Sequence, residues 1–332
     1  MILGFQVSRR AYLKTLAPII DEAVRRGHQV IAILDRPPRK PGAEPAHPTD
    51  FLRWPTIQLT TLATHLDALV GMAFERPPWC DGPYIQVNEF WDNLLVPPAL
   101  GMTYCSEYHW QTHYRAYGIT GSPPPVVGWV PGDQAARIDL GAFITRYGLP
   151  GRGARPIWTV FPPKEAMPCY RDIIRALTER AKQDGAYVIV RMRPKAHERW
   201  WMRWQGHKRI WDDQMVPNAS LACLLLSDLA IHFTSGVAFE AAYVGCPAVS
   251  IGVTKPPALL PMGTYYSTEF FTRLNWPGVN QHVSQWEAAK FLRDGMWPTL
   301  HEAERHRYIQ KFMYRADGGA AGRVLDVVEQ AV

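Results

Sequence analysis

At 332 residues the chain is longer than one hydrophobic core usually organises, so two domains of about 150 residues each are the first expectation. With 47% hydrophobic, 20% charged and 12% aromatic residues it has the make-up of an ordinary globular protein, which excludes intrinsic disorder; the net charge of +6 is spread rather than blocked and points only weakly to nucleic acid, a membrane surface or an anionic ligand. The five cysteines are odd in number, widely spaced and without a C-x-x-C pair, which argues against a disulfide framework and a zinc site.

The chain opens on an apolar strand over residues 2–7, a turn at Ser8-Arg9-Arg10, and helical apolar spacing at Tyr12, Leu16, Ile19, Ile20, Ala23 and Val24 that Gly27 stops. Pro18 fits such a helix only in its first turn, where a missing N–H costs little. A strand over residues 29–34 follows, and strand, helix, strand implies a right-handed crossover to a parallel neighbour. The opening residues carry no basic leader, and the apolar stretch 221–233 is interrupted by Ser227-Asp228, so a cytoplasmic location without a membrane span is expected, either free or peripheral to the membrane. Residues 37–48, rich in Pro and basic side chains, have no apolar period and read as a surface loop or a functional excursion. Strands at 68–72, 84–87, 102–104 and 126–129 complete one sheet.

Ligands of open α/β sheets bind beyond the carboxyl ends of the strands. That rule selects Glu89 and Asp92, after strand 84–87, and Glu107 and His109, after strand 102–104, as candidate catalytic bases, with Glu89 ranked first. Each can equally be a surface or capping group. Arg9 and Arg10, just past the first strand, are candidates for contact with an anionic acceptor or a donor phosphate, or simply begin a solvated helix. His109 and His113 lie four apart and could face a metal together, but no third ligand accompanies them, so a structural role is read and no metal is expected.

A helix over 138–147 leads into a Gly-, Pro- and Arg-rich segment, 149–156, taken as the linker: domains of residues 1–150 and 151–332. Strand and helix then alternate again, with strands at 157–161, 186–192, 229–233 and 248–251 and helices at 170–184, 220–226 and 237–244. The tail from 298 is helical, broken at Asp317-Gly318-Gly319, and either covers the second sheet or returns to the first domain. The Trp- and Arg-bearing stretch 199–211 could stack on bases, sit at a membrane interface or pack a loop. The fold class expected is α/β, with two Rossmann-like doubly wound domains facing a central cleft.

The most informative segment is the strand from Leu229 to Phe233, which runs through Thr234-Ser235-Gly236 straight into a helix. Such a turn aims backbone N–H groups, with roughly half a positive charge from the helix dipole, at whatever lies past the strand end, and a phosphate suits that position. Thr234 or Ser235 could cap the helix and donate a hydroxyl to a phosphate oxygen, Gly236 would allow close approach, and Glu240 could accept from a ribose diol. The local alternative is a plain N-cap with a solvated glutamate. The pattern Ser235, Glu240-Ala241, Gly245 and Pro247 resembles the donor-nucleotide motif of the GT-B-type glycosyltransferases, CDP-glycerol glycerophosphotransferases and UDP-N-acetylglucosamine 2-epimerases. Weaker similarity extends to Arg25–Val30, to Cys105-Ser106-Glu107 and to 317–324, and Arg193-Pro194 stands where many members end a strand in His-Pro.

The resemblance implies a transferase that moves a sugar, or sugar-like unit, from a UDP- or CDP-type nucleotide donor to a hydroxyl on a glycan or lipid-linked glycan, with no tightly bound cofactor. Ser235 and Gly236 would contact the donor phosphates, Glu240 the ribose, and Arg193 the pyrophosphate, although arginine there departs from the family's histidine. Alternatives are transfer to a hydroxylated base in DNA, a UDP-sugar 2-epimerase-like reaction, and a non-catalytic nucleotide-binding protein. No oligomeric state is implied.

Overall fold

The computed structural model describes residues 1–34, 45–61, 65–72, 77, 79–88, 101–163, 169–192, 207–210, 218–233, 235–252 and 272–332. They form two compact units, the first drawn from Met1–Ala136, Asn218 and Ile309–Val332, the second from Arg137–Asp213 and Ala219–Tyr308. The units part upstream of the expected boundary at residue 150. The physical reason is the helix at Leu140–Tyr147, whose Phe143 packs into one apolar cluster with Ile157, Ile189 and Cys223 of the second unit.

The first unit is a six-stranded parallel sheet of β1 (Ile2–Gln6), β2 (Gln29–Ile33), β3 (Gln58–Thr60), β4 (Ala68–Gly71), β5 (Tyr84–Asn88) and β6 (Met102–Tyr104), in the order β3-β2-β1-β4-β5-β6. This is the doubly wound dinucleotide-fold order, which reverses direction between β1 and β4. Leu3, Phe5 and Val7 alternate onto one face and meet Leu16, Ile19 and Ile20 of helix α1 (Leu13–Arg25), all fully buried. Pro18 lies in the interior of α1, not in its first turn. The proline ring removes the N–H that would bond to the Lys14 carbonyl, and Gln134 Nε2 donates to that oxygen instead, at 2.7 Å. The strand expected at 126–129 is a single bridge between Tyr104 and Val126; Gly128, at φ +95°, turns the extended backbone into the short helical segment Val130–Arg137. Helix α2 (Glu107–Ala116) starts on a Ser106 cap whose Oγ accepts from His109 N at 3.1 Å.

The second unit repeats the plan with β7 (Ile157–Phe161), β8 (Tyr187–Arg191), β9 (Lys208–Ile210), β10 (Leu229–Phe233), β11 (Ala248–Ile251) and β12 (Asn280–Val283), all parallel and ordered β12-β11-β10-β7-β8-β9. Here the order reverses between β7 and β10. Its central strands β7, β10 and β11 are buried on both faces and so read as largely apolar runs. Helix α4 (Tyr170–Gln183) and helix α7 (Gln285–Asp294) cover one face through Ile173, Leu177, Ala288 and Leu292; α3 (Leu140–Tyr147), α5 (Ala219–Leu226) and α6 (Val237–Val244) cover the other.

Helix α8 (Glu302–Met313) and helix α9 (Ala320–Ala331) form the tail. Of the two placements expected for it, α9 takes the return to the first unit: Val324, Leu325 and Val328, each fully buried, join the cluster of Leu3, Phe5 and Ile19. Asp317 binds Arg323 through both carboxylate oxygens at 2.9 and 3.0 Å, Arg323 Nε donates to the Val127 carbonyl, and Asp133 Oδ2 accepts from Ala321 N at the start of α9. The Asp-Gly-Gly break is therefore a docking turn.

Candidate functional site

Both reversal points put loop residues at strand carboxyl ends, where open α/β sheets bind ligands. In the second unit β10 lies between β7 and β11, with His232 in register with Phe161 and Ser250. The strand, five buried residues of which His232 alone is polar, runs through a turn, whose Thr234 lies outside the described residues, into α6. Ser235 is half-buried and Gly236 exposed.

Gly236, not Thr234 or Ser235, is the N-cap of α6, and the cap is weak: Ser235 Oγ accepts from Val237 N at 3.5 Å, near the limit of a hydrogen bond. Tight-turn bonds from Ala238 N to the Ser235 carbonyl, 3.3 Å, and from Phe239 N to the Gly236 carbonyl, 3.0 Å, hold the corner. Glu240 is 9% exposed, so it is not a solvated helix residue. Its helix is apolar all round and accordingly buried all round, and a carboxylate in that setting needs a hydrogen-bonding or charged neighbour. Helix α6 ends on Gly245, at φ +75°, and Arg305 from α8 donates to the carbonyls of Ala242 and Tyr243, both at 2.7 Å.

Two groups here escaped the sequence reading. Arg191 ends β8, the strand beside β7, and is 7% exposed, with a guanidinium nitrogen on the Met192 carbonyl. A charged residue closing the apolar run Tyr187–Arg191 was its signal. His232 is fully enclosed; among the described residues neither ring nitrogen has a hydrogen-bond partner, and burial, with the neighbouring His282 second, pushes its pKa down to about 3. The same register carries Ser250 on β11 and His282 on β12, with His282 Nδ1 3.2 Å from Ser250 Oγ. Arg193 and most of the Trp/Arg stretch lie outside the described residues.

In the first unit Arg9 and Arg10 follow β1 at its reversal point. Arg9 is half-buried with its guanidinium carbon 5.6 Å from the Tyr12 ring centre, while Arg10 Nε donates to Asp50 at 2.8 Å. Glu89 and Asp92 lie outside the described residues. Glu107 is exposed in the first turn of α2 and accepts from Gln111 at 3.0 Å, a favourable place for a carboxylate beside the helix dipole. His109 is wholly buried, its Nδ1 3.0 Å from Cys105 Sγ and its ring edge-on to Tyr104; His113 Nδ1 is 2.7 Å from the Tyr104 hydroxyl. The two histidines thus share a helix face turned into the packing of Tyr104. Among the described residues no group of three His, Cys, Asp or Glu side chains is placed to hold a metal ion, and no helix is long and apolar enough to cross a membrane.

No protein-family model matches the sequence, and no curated protein matches it. Solved structures do resemble it. A variant of the wall teichoic acid polymerase TagF superposes with a TM-score of 0.60 at 13% identity, covering 99% of this chain and 88% of that one. A putative UDP-N-acetylglucosamine 2-epimerase from Listeria monocytogenes gives 0.59 at 12% identity, covering 99% and 96%; a glycosyltransferase from Rickettsia africae gives 0.50 at 12%, covering 99% and 98%. At such identities the likeness speaks for fold, and with the two sheets described above it shows that this chain has the GT-B-type fold of two Rossmann-like α/β units.

Proposed function

We propose that the protein is a glycosyltransferase that uses a nucleotide-activated sugar and transfers it to a hydroxyl on a glycan or lipid-linked glycan, in the cytoplasm. The observation that carries this is the Ser235-Gly236 corner at the reversal point of the second sheet, where a strand end meets a helix start over the buried carboxylate of Glu240. Ser235 and Gly236 are assigned to the donor diphosphate and Glu240 to the ribose diol, with Thr234 and Arg193 as further donors to the phosphates. Glu89, the residue after β5 in the chain, is the proposed base that takes the acceptor proton, with Asp92 and Glu107 behind it; His109 is set aside because it is enclosed in packing. A UDP- or CDP-linked donor is the expected substrate, and no resident cofactor is needed.

The Listeria neighbour favours a second reading, an epimerase-like reaction on a UDP-sugar. Release of nucleoside diphosphate from the donor with no acceptor present distinguishes it.

The test is a thermal-shift series with nucleoside diphosphates and nucleotide sugars. A ligand that binds only the native state, at about a hundred times its Kd, adds about 2.7 kcal/mol and raises the melting temperature by several degrees. Glu240→Gln preserves shape and removes the charge, so the same ligand should bind about ten- to a hundredfold more weakly with the ligand-free melting temperature held. A flat response across both ligand sets refutes the donor assignment.

A further inference from the structure

A carboxylate is enclosed where the C-terminal helix docks on the first unit. Asp133, in the segment Val130–Arg137, is 2% exposed, and its Oδ2 accepts from Ala321 N at 2.7 Å at the start of α9. Among the described residues its Oδ1 has no hydrogen-bond partner. A surface helix cap keeps its free oxygen in water; this one does not, and an enclosed charge is costly unless a cation faces it. The turn leading to α9 carries a second cost, because Tyr314, a residue with a Cβ, takes the left-handed φ of +70°.

The cation that acts on Asp133 is Arg323 of α9, and its bonds go elsewhere: both terminal nitrogens to Asp317, Nε to the Val127 carbonyl, with the guanidinium carbon 5.5 Å from the Tyr314 ring centre. Two carboxylates thus share one guanidinium, and Asp317 holds it. The consequence is opposite titration. The bond to Arg323 keeps the Asp317 carboxyl below its ordinary value, whereas burial pushes Asp133 from 3.8 up to about 6, against the downward pull of the Ala321 and Ala320 N–H groups and of Arg323, with Asp317 pushing it further up. The elements packed here also carry Lys14 and the Glu22–Arg26 pair on α1, the exposed Arg137 that ends the segment itself, and Asp326 and Glu329 along α9, the last bonded to His28.

We propose that Asp133 is a pH-sensitive clasp on the C-terminal helix: protonated, it lets the start of α9 seat firmly on the first unit, and ionised, it loosens that seat. Opening α9 returns the carboxyl to water and to its ordinary titration, so between pH 4 and 6 the closed state binds more protons; the contribution to docking falls as pH rises and levels off above about 6. Hydrogen exchange reads it directly. Protection of the Val324, Leu325 and Val328 amides, corrected for the intrinsic exchange rate, should be about tenfold lower at pH 7 than at pH 5. Asp133→Asn keeps an acceptor for Ala321 N and removes the titration, so it should abolish most of that difference, whereas His28→Gln, which removes the imidazole bonded to Glu329, should keep it. In the unaltered protein the Asp133 carboxyl carbon, followed by NMR, should titrate with a midpoint near 6. A midpoint at or below about 4 overturns the clasp, and so does a full pH difference surviving in Asp133→Asn. Should that variant fail to fold, the midpoint in the unaltered protein decides.

Discussion

His232 carries a pH dependence that follows from its enclosure. An imidazole held at a pKa of about 3 in the fold, against an ordinary value of 6.5, stays neutral in the native state while the unfolded chain takes up its proton. The sign is that of a depressed base: the contribution to stability is complete above pH 6.5 and is lost progressively as pH falls towards 3, since the unfolded state then binds more protons. Burial also lowers the pKa of His207 and His282, which act in the same direction. Replacing His232 by leucine should flatten the acid limb of a stability-versus-pH curve by up to about 1.4 kcal/mol per pH unit, read from urea melts between pH 4.5 and 7. An unchanged slope would mean that the side chain is solvated or hydrogen-bonded in the native protein. Groups of this kind are hard to see in a sequence: His232 stands in an apolar strand like any of its neighbours, and only the pairing of β7, β10, β11 and β12 brings Phe161, Ser250 and His282 to its level. Ser235, Gly236 and Glu240 were legible because strand, turn and helix are contiguous in the chain.

Among the elements, α1 shows how a local fault is repaired from a distance. Pro18 leaves the Lys14 carbonyl without its helical donor, and Gln134, more than a hundred residues later, supplies one while its Oε1 accepts from Asn218 N at 2.9 Å. Gln134→Leu should cost about 1–3 kcal/mol, the price of buried polar groups left unmet. Restoring the backbone N–H with Pro18→Ala should reduce that cost, so a double-mutant cycle measured by urea unfolding should give a coupling of about 0.5–3 kcal/mol; additive effects would disprove the repair. The strands that the sequence did not disclose are β3, β9 and β12, and each is a sheet edge. An edge strand pairs on one side only and is short and polar, as in Gln58–Thr60, Lys208–Ile210 and Asn280–Val283, so it lacks the apolar run that announces a central strand. Helix α7 did leave a signal that went unread: Ser284 and Glu287 form a serine-to-glutamate capping pair, with Ser284 Oγ accepting from Glu287 N at 3.3 Å and donating to its carboxylate at 2.7 Å.

At the scale of the whole molecule, chain order and spatial order part company at the C-terminus. Helix α9 is last in the chain, yet its apolar side is a wall of the first core, against strands laid down at the very start. Fully burying one valine or leucine is worth about 1.5–3 kcal/mol, so Val324, Leu325 and Val328 together contribute about 5–9 kcal/mol, comparable to the whole stability of an ordinary domain. Arg26 adds an electrostatic latch to the same helix, with bonds of 2.8 Å to Asp326 and 2.9 Å to Glu329, but its partners are largely exposed and the apolar term dominates. A chain ended before Gly319 should therefore lose the first unit as a cooperatively folded body: amide protection in β1, β2 and β4 should fall to that of an unfolded chain in hydrogen exchange. The charge-only variant Arg26→Gln should instead keep that protection with a loss of about 1 kcal/mol or less. If the truncated chain retains native protection in β1 and β4, the C-terminal helix is an ornament on a core that closes without it.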